Sequence, residues 1–113
     1  MKTLKVIRGI GASSGVARGK ARVVFSPDEI KEENDFILVT EMTSPVWTPV
    51  IARVKAIVTN SGGMLSHAAI VAREFGIPAV VGTGSATNEI KDGELIEVDG
   101  SKGVVYVLAP DTE

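Results

Sequence analysis

The stretch from Lys55 to Val81 constrains this chain more than any other part of it. Lys55-Ala56-Ile57-Val58-Thr59 is compact and largely β-branched, the composition of a central strand. It runs into Asn60-Ser61-Gly62-Gly63, and a short helical pattern follows from Ser66 and His67 onward. Gly76-Ile77-Pro78 ends that helix, because Gly at C′ can take a positive φ, Ile at C″ can pack back, and Pro cannot continue the helix. Ala79-Val80-Val81 is the next strand. Strand, helix and strand from Ile57 to Val81 therefore make one βαβ unit, and the flanking segments must complete its sheet.

Leu4 to Ile10 and Lys20 to Phe25 read as two strands, joined by a glycine-serine loop through Gly9, Gly11, Ser13, Ser14 and Gly15. Ser13-Ser14-Gly15 could contact a phosphate, but an ordinary connecting turn is the favoured reading. Ser26-Pro27-Asp28 is a turn with an N-cap, and the acidic run to Asp35 is a solvated surface. Phe36 to Thr40 is a short buried strand. Ser44-Pro45 starts a helix, with one or two turns expected over Thr48 to Lys55. Further on, Ser85 to Ile90 is a helical turn and Asp92-Gly93 a tight turn. Leu95 to Val98 and Val104 to Leu108 form a hairpin closed by Asp99-Gly100-Ser101-Lys102-Gly103, and residues 109 to 113 are expected to fray.

The expectation is a mixed α/β fold in one domain spanning residues 1–113. A chain of 113 residues can bury about two thirds of its unfolded surface, enough for a real core. Apolar residues are 44% of the chain but aromatics only 4%, so aliphatic side chains must build that core. A net charge of −2 without a Lys/Arg cluster argues against nucleic acid as the main partner. The absence of cysteine removes disulfides and thiolate metal sites. No signal-like stretch opens the chain and no apolar run approaches the ~20 residues of a membrane helix. A soluble, cytoplasmic chain is the default expectation.

His67 is the only histidine, and its position suggests chemistry. A strand that ends in Gly62-Gly63 and opens a helix at Ser66 aims backbone N–H groups and the positive helix end into the space beside it. Ser66 is the expected N-cap and His67 the first helical residue. Imidazole, with a reference pKa of ~6.5, is substantially neutral at physiological pH and offers a ring nitrogen lone pair for attack on phosphorus. The added negative charge would be favoured by about 0.3 to 1 kcal/mol at an exposed helix N-terminus. Other chemistries fit poorly. Zinc needs several His or Cys ligands, and there is neither a Gly-x-Ser-x-Gly elbow nor a Gly-rich nucleotide loop. Gly62, Gly63 and Ser66 are the candidate phosphate-positioning residues, with no metal site. Arg73 lies six positions beyond His67 and rotates away from it, so partner docking or a surface ion pair is its expected role. Ordinary packing is expected of Trp47 and Met64, with an apolar docking rim as the alternative for Met64.

Gly62 to Gly82, the run Gly-Gly-Met-Leu-Ser-His-Ala-Ala-Ile-Val-Ala-Arg-Glu-Phe-Gly-Ile-Pro-Ala-Val-Val-Gly, resembles the phosphohistidine signature of the PEP-utilising enzymes. Gly9 to Gly19 resembles that family's opening Gly/Ser/Gly segment, and Val39 to Pro49 its Thr-x-Pro-x-Trp region. The resemblance implies a swivelling β/β/α mobile domain with His67 as phosphoryl carrier. It implies a phosphotransferase component that is inactive alone, as in phosphoenolpyruvate synthases and pyruvate phosphate dikinases. The partners it implies are an ATP-grasp nucleotide domain and a phosphoenolpyruvate/pyruvate-binding domain or other acceptor. ATP, phosphoenolpyruvate and Mg would bind on those partners, with no cofactor on this domain. A non-catalytic swivelling module that binds partner domains is the alternative. Three departures stand out. Leu65 replaces the regulatory threonine common in synthases and dikinases, which removes threonine-based control there, and Met64-Leu65 looks more like the rifampicin phosphotransferase branch. Val46 stands where an acidic residue often precedes the tryptophan. Asn60-Ser61 replaces a common Asp-Arg pair.

Overall fold

The structure is a computed structural model that describes residues 1–110. Its elements are β1 (Lys2–Arg8), β2 (Ile10–Ser13), β3 (Val16–Val23), β4 (Phe36–Thr40), α1 (Thr48–Ile51), β5 (Val54–Thr59), α2 (His67–Phe75), β6 (Ala79–Val81), α3 (Ala86–Glu89), β7 (Leu95–Asp99) and β8 (Val104–Ala109). The strands run in the order β1-β8-β7-β3-β4-β5-β6-β2. β3 divides them. Val16 to Lys20 pair antiparallel with β7, whereas Ala21 to Val23 pair parallel with β4. One layer is thus antiparallel, β1-β8-β7-β3. The other is the parallel run β3-β4-β5-β6, edged by the antiparallel β2.

Side chains that alternate along the parallel strands serve two cores, because successive residues of a strand point to opposite faces. Ile37, Val39, Ala56, Val58 and Val80 pack against Ile96, Val98, Val105 and Val107 between the two sheets. Leu38, Ile57, Ala79 and Val81 face the other way, onto Ala68, Ala69 and Ala72 of α2 and onto Trp47 and Ile51. Three layers result, β/β/α, as the resemblance implies. Both faces of the parallel strands are covered, which is why Phe36–Thr40 is buried at every position.

The glycine-serine segment departs from its expected loop. Residues 10 to 13 are a strand, and only Ser14-Gly15 turns, with Gly15 at φ +113°. β1 pairs with β8 and β2 with β6, so one segment bending at Gly9 closes both ends of the sheet order. Its glycines are there for close approach. A Cβ on Gly11 would strike the Gly100 carbonyl, and one on Gly100 would strike the Ser13 carbonyl.

Two smaller expectations also change. The helix expected over Thr48 to Lys55 is a 3-10 turn at Pro45–Trp47 and one α turn ending at Ile51, because β5 already begins at Val54. Ala109 belongs to β8, paired with Lys2, so fraying does not begin there; residues 111 to 113 lie outside the described residues. The acidic run is exposed as expected, although Glu33 is tied to Arg22. Ser26 caps its 3-10 turn with a full capping box to Glu29.

Candidate functional site

β4 and β5 are parallel neighbours, so both chains leave the sheet at the same end. The loops after Thr40 and Thr59 therefore flank one cleft of about 230 Å³, lined by Met42, Thr43, Thr59, Ser61, Gly62, Ser66, His67 and Ala68. A crevice outside the carboxyl ends of parallel strands is the usual place for a site in such sheets.

His67 begins α2, and Ser66 is its N-cap in extended conformation. The Ser66 hydroxyl donates to the Gly63 carbonyl at 2.8 Å and accepts a long 3.5 Å contact from the Ala69 amide. The amides of His67 and Ala68, at the first two helical positions, have no intrahelical acceptor by helix geometry and face the entrance of the helix. Gly62 has φ +106°, and a Cβ there would lie 2.9 Å from Ser66 Oγ. Glycine is required at this position because the turn is left-handed and folds back onto its own cap. Gly63 is different. It has no neighbour within 4 Å of a virtual Cβ and does not line the cleft, so the structure separates the two glycines that the sequence pattern treated alike.

The half-buried imidazole has one hydrogen-bond partner among the described residues. Thr43 Oγ1 lies 2.8 Å from Nδ1, across 24 positions of sequence. Thr43 is itself buried. Nε2 has no hydrogen-bond partner among the described residues. Thr43 was given no role of its own by sequence reasoning. Only its place in the Thr-x-Pro-x-Trp segment hinted at one, since nothing local tells that the loop after β4 meets the start of α2.

Behind the cleft, the Glu41 carboxylate accepts hydrogen bonds from the Ser61 hydroxyl and from Asn60 Nδ2. Those two bonds, Ser61's first, hold its carboxyl below the ordinary carboxylate range. Asn60 also bonds Thr87, with its amide donating to Thr87 Oγ1 at 2.7 Å and its carbonyl accepting from the Thr87 amide at 3.1 Å. Asn60 and Ser61 thus join the two loops to each other and to α3.

Arg73 bonds backbone carbonyls and forms no ion pair among the described residues. Its guanidinium donates to the Ala12 carbonyl at 2.8 Å and to the Met64 carbonyl at 2.7 Å. It ties α2 to β2 and to the glycine turn. The rotation away from His67 was correctly read, but what lies on that side is backbone. Trp47 packs in the helix-side core at 4% exposure, as expected. Met64 does not pack; it is half exposed. Ser13 and Ser14 line a separate depression with Arg73 and Ser101, which shares no lining residue with the His67 cleft. Among the described residues no group of His, Cys, Asp and Glu could hold a metal ion, and no helix is long and apolar enough to cross a membrane.

Residues 32–103 match the family described as PEP-utilising enzyme, mobile domain. The chain is 56% identical over 110 residues to a phosphoenolpyruvate synthase of Aeropyrum pernix, covering 96% of this chain and 13% of that protein. It is 46% identical over 104 residues to a rifampicin phosphotransferase of Bacillus cereus, covering 92% of this chain and 12% of that protein. Among solved structures, an NMR structure of Enzyme I superposes with a TM-score of 0.60 at 40% identity, over 70% of this chain and 32% of that one. The chain therefore spans about an eighth of the length of these curated relatives.

Proposed function

The chain belongs to the PEP-utilising enzyme mobile-domain family, and we propose that it carries a phosphoryl group on Nε2 of His67 between a donor and an acceptor held elsewhere. One observation supports this above the others: Nδ1 is engaged by Thr43 while Nε2 is unpartnered at the mouth of a cleft. In the reactive tautomer Nδ1 holds the ring proton and donates it to Thr43 Oγ1, which leaves the Nε2 lone pair free. Nε2 then forms an N–P bond as the bond from phosphorus to its leaving oxygen breaks, and the bonding pair departs on that oxygen. The ring becomes cationic, and the Thr43 oxygen stabilises the N–H that carries part of that charge. In the onward step the acceptor bonds to phosphorus and the N–P pair returns to Nε2.

The amides at the start of α2 and the Ser66 cap favour the phosphoryl oxygens, and Gly62 keeps the turn out of their way. Gly63 has no such steric duty within the chain. Donor and acceptor belong to partner domains: an ATP-grasp nucleotide domain, and a phosphoenolpyruvate/pyruvate-binding domain or another acceptor. ATP, phosphoenolpyruvate and Mg bind there in this reading.

Labelling tests it. Incubation with labelled ATP or phosphoenolpyruvate and a cognate partner should give an acid-labile, alkali-stable adduct that disappears in His67→Ala. Undiminished labelling of that variant would sink the assignment. The alternative of a non-catalytic interaction module expects partner binding to survive in His67→Ala with no adduct on the wild-type chain under any donor.

A further inference from the structure

Four apolar side chains stand in solvent on the two loops that flank His67. Met42 is 60% exposed, Val46 67%, Met64 50% and Leu65 86%. Met42 lines the cleft beside His67, Val46 follows Thr43 on the same loop, and Met64 and Leu65 lead directly into Ser66 and His67. Isolated exposed apolar residues need no explanation, but four on the two loops that carry Thr43 and lead into His67 do. The second observation is one of charge. No Lys or Arg lines the cleft. Arg73, the only basic residue of α2 besides the histidine, spends its guanidinium on the Ala12 and Met64 carbonyls.

A phosphoryl group on Nε2 would therefore meet helix amides and hydroxyls but no cation from this chain. Helix-end stabilisation of about 0.3 to 1 kcal/mol is small beside the charge to be held. We propose that Met42, Val46, Met64 and Leu65 form an apolar collar that seals onto a partner protein surface with a basic centre, which supplies the missing cation to the phosphoryl group. This rests on the carrier reading above. The collar and the bare centre complement each other. Excluding water strengthens the attraction between the partner's cation and the phosphoryl oxygens, and it removes the competing nucleophile that would hydrolyse the N–P bond. Arg73 takes part indirectly, since its bond to the Met64 carbonyl holds the collar's second half in place.

The test compares a small donor with a protein donor, using the double variant Val46→Thr/Leu65→Gln. Potassium phosphoramidate, which needs no docking, should label His67 of the wild-type chain and of the variant at rates within about twofold. For the protein donor, each form replaces the matching segment of the Aeropyrum pernix phosphoenolpyruvate synthase, and labelling is followed with Mg and ATP. The variant should be labelled at least about tenfold more slowly than the wild type, the effect of losing about 1.4 kcal/mol from a contact. Equal rates in the grafted enzymes would overturn the collar. A wild-type chain that phosphoramidate cannot label would instead overturn the carrier reading, so the two failures are distinguishable. Thermal midpoints of the variant and wild type should coincide, because both side chains are mostly in solvent.

Discussion

Around His67, single residues have separable duties, and each can be tested alone. Thr43→Val keeps the shape but removes the only partner that Nδ1 has among the described residues. An unsatisfied group of this kind costs about 1–3 kcal/mol, so labelling of His67 should fall roughly ten- to a hundredfold, whereas Thr43→Ser should retain it. The two glycines give a paired prediction. Gly62→Ala should cost at least about 1–3 kcal/mol in chemical denaturation, because φ +106° is strained for any side chain and Ser66 stands in the way. Gly63→Ala should lie within about 0.5 kcal/mol of wild type. Glu41 adds a pH dependence. Its carboxyl titrates below the ordinary value of 4.5, held there by Ser61 and Asn60. A depressed folded value means that its stabilisation is complete above 4.5 and is lost as pH falls through the lower folded value. Thermal melts of wild type and Glu41→Gln should therefore differ at neutral pH and converge in acid. A difference that grew on acidification would contradict the hydrogen bonds described.

At the scale of elements, the helix that carries His67 is held at both ends by legible chemistry. Gly76 takes φ +70° as its left-handed stop, and Ser66 opens it. Ser66→Ala should destabilise by about 0.5–1 kcal/mol, the low part of the N-cap range, because the contact to the Ala69 amide is long. The carbonyl partners of Arg73 were not legible in the sequence, because helical rotation tells where a side chain does not point, not which backbone awaits it. In Arg73→Met the Met64 carbonyl loses its donor, and amide exchange at residues 64 to 66 should quicken more than at the far end of α2. Thr43 escaped notice for the same reason: the loop after β4 shows turn chemistry in Ser44-Pro45, while its partner lies on a different element.

For the whole molecule, the informative positions are where two backbones cross. Gly11 and Gly100 bring β2 against the β7-β8 turn so closely that no side chain fits. Gly100→Ala should cost more than about 4 kcal/mol and leave little folded protein, as read by circular dichroism. The same crossing explains why the glycine-serine segment was expected to be a loop. Glycines that break a strand pattern and glycines that let two strands touch look identical in one dimension. What the sequence determined alone was local: the βαβ run, the stop at Gly76-Ile77-Pro78, the two-faced burial of strands such as Phe36–Thr40, and a histidine at a helix start. These follow from residues within a few positions of each other, where propensity and periodicity act. Tertiary structure decided the rest, because it depends on contacts that close long loops. The division of the strands at β3, the closure of both sheet edges by one segment, Thr43 against His67, and Arg73 on the turn each join residues far apart in the chain. No local pattern encodes which of many distant backbones a side chain will meet.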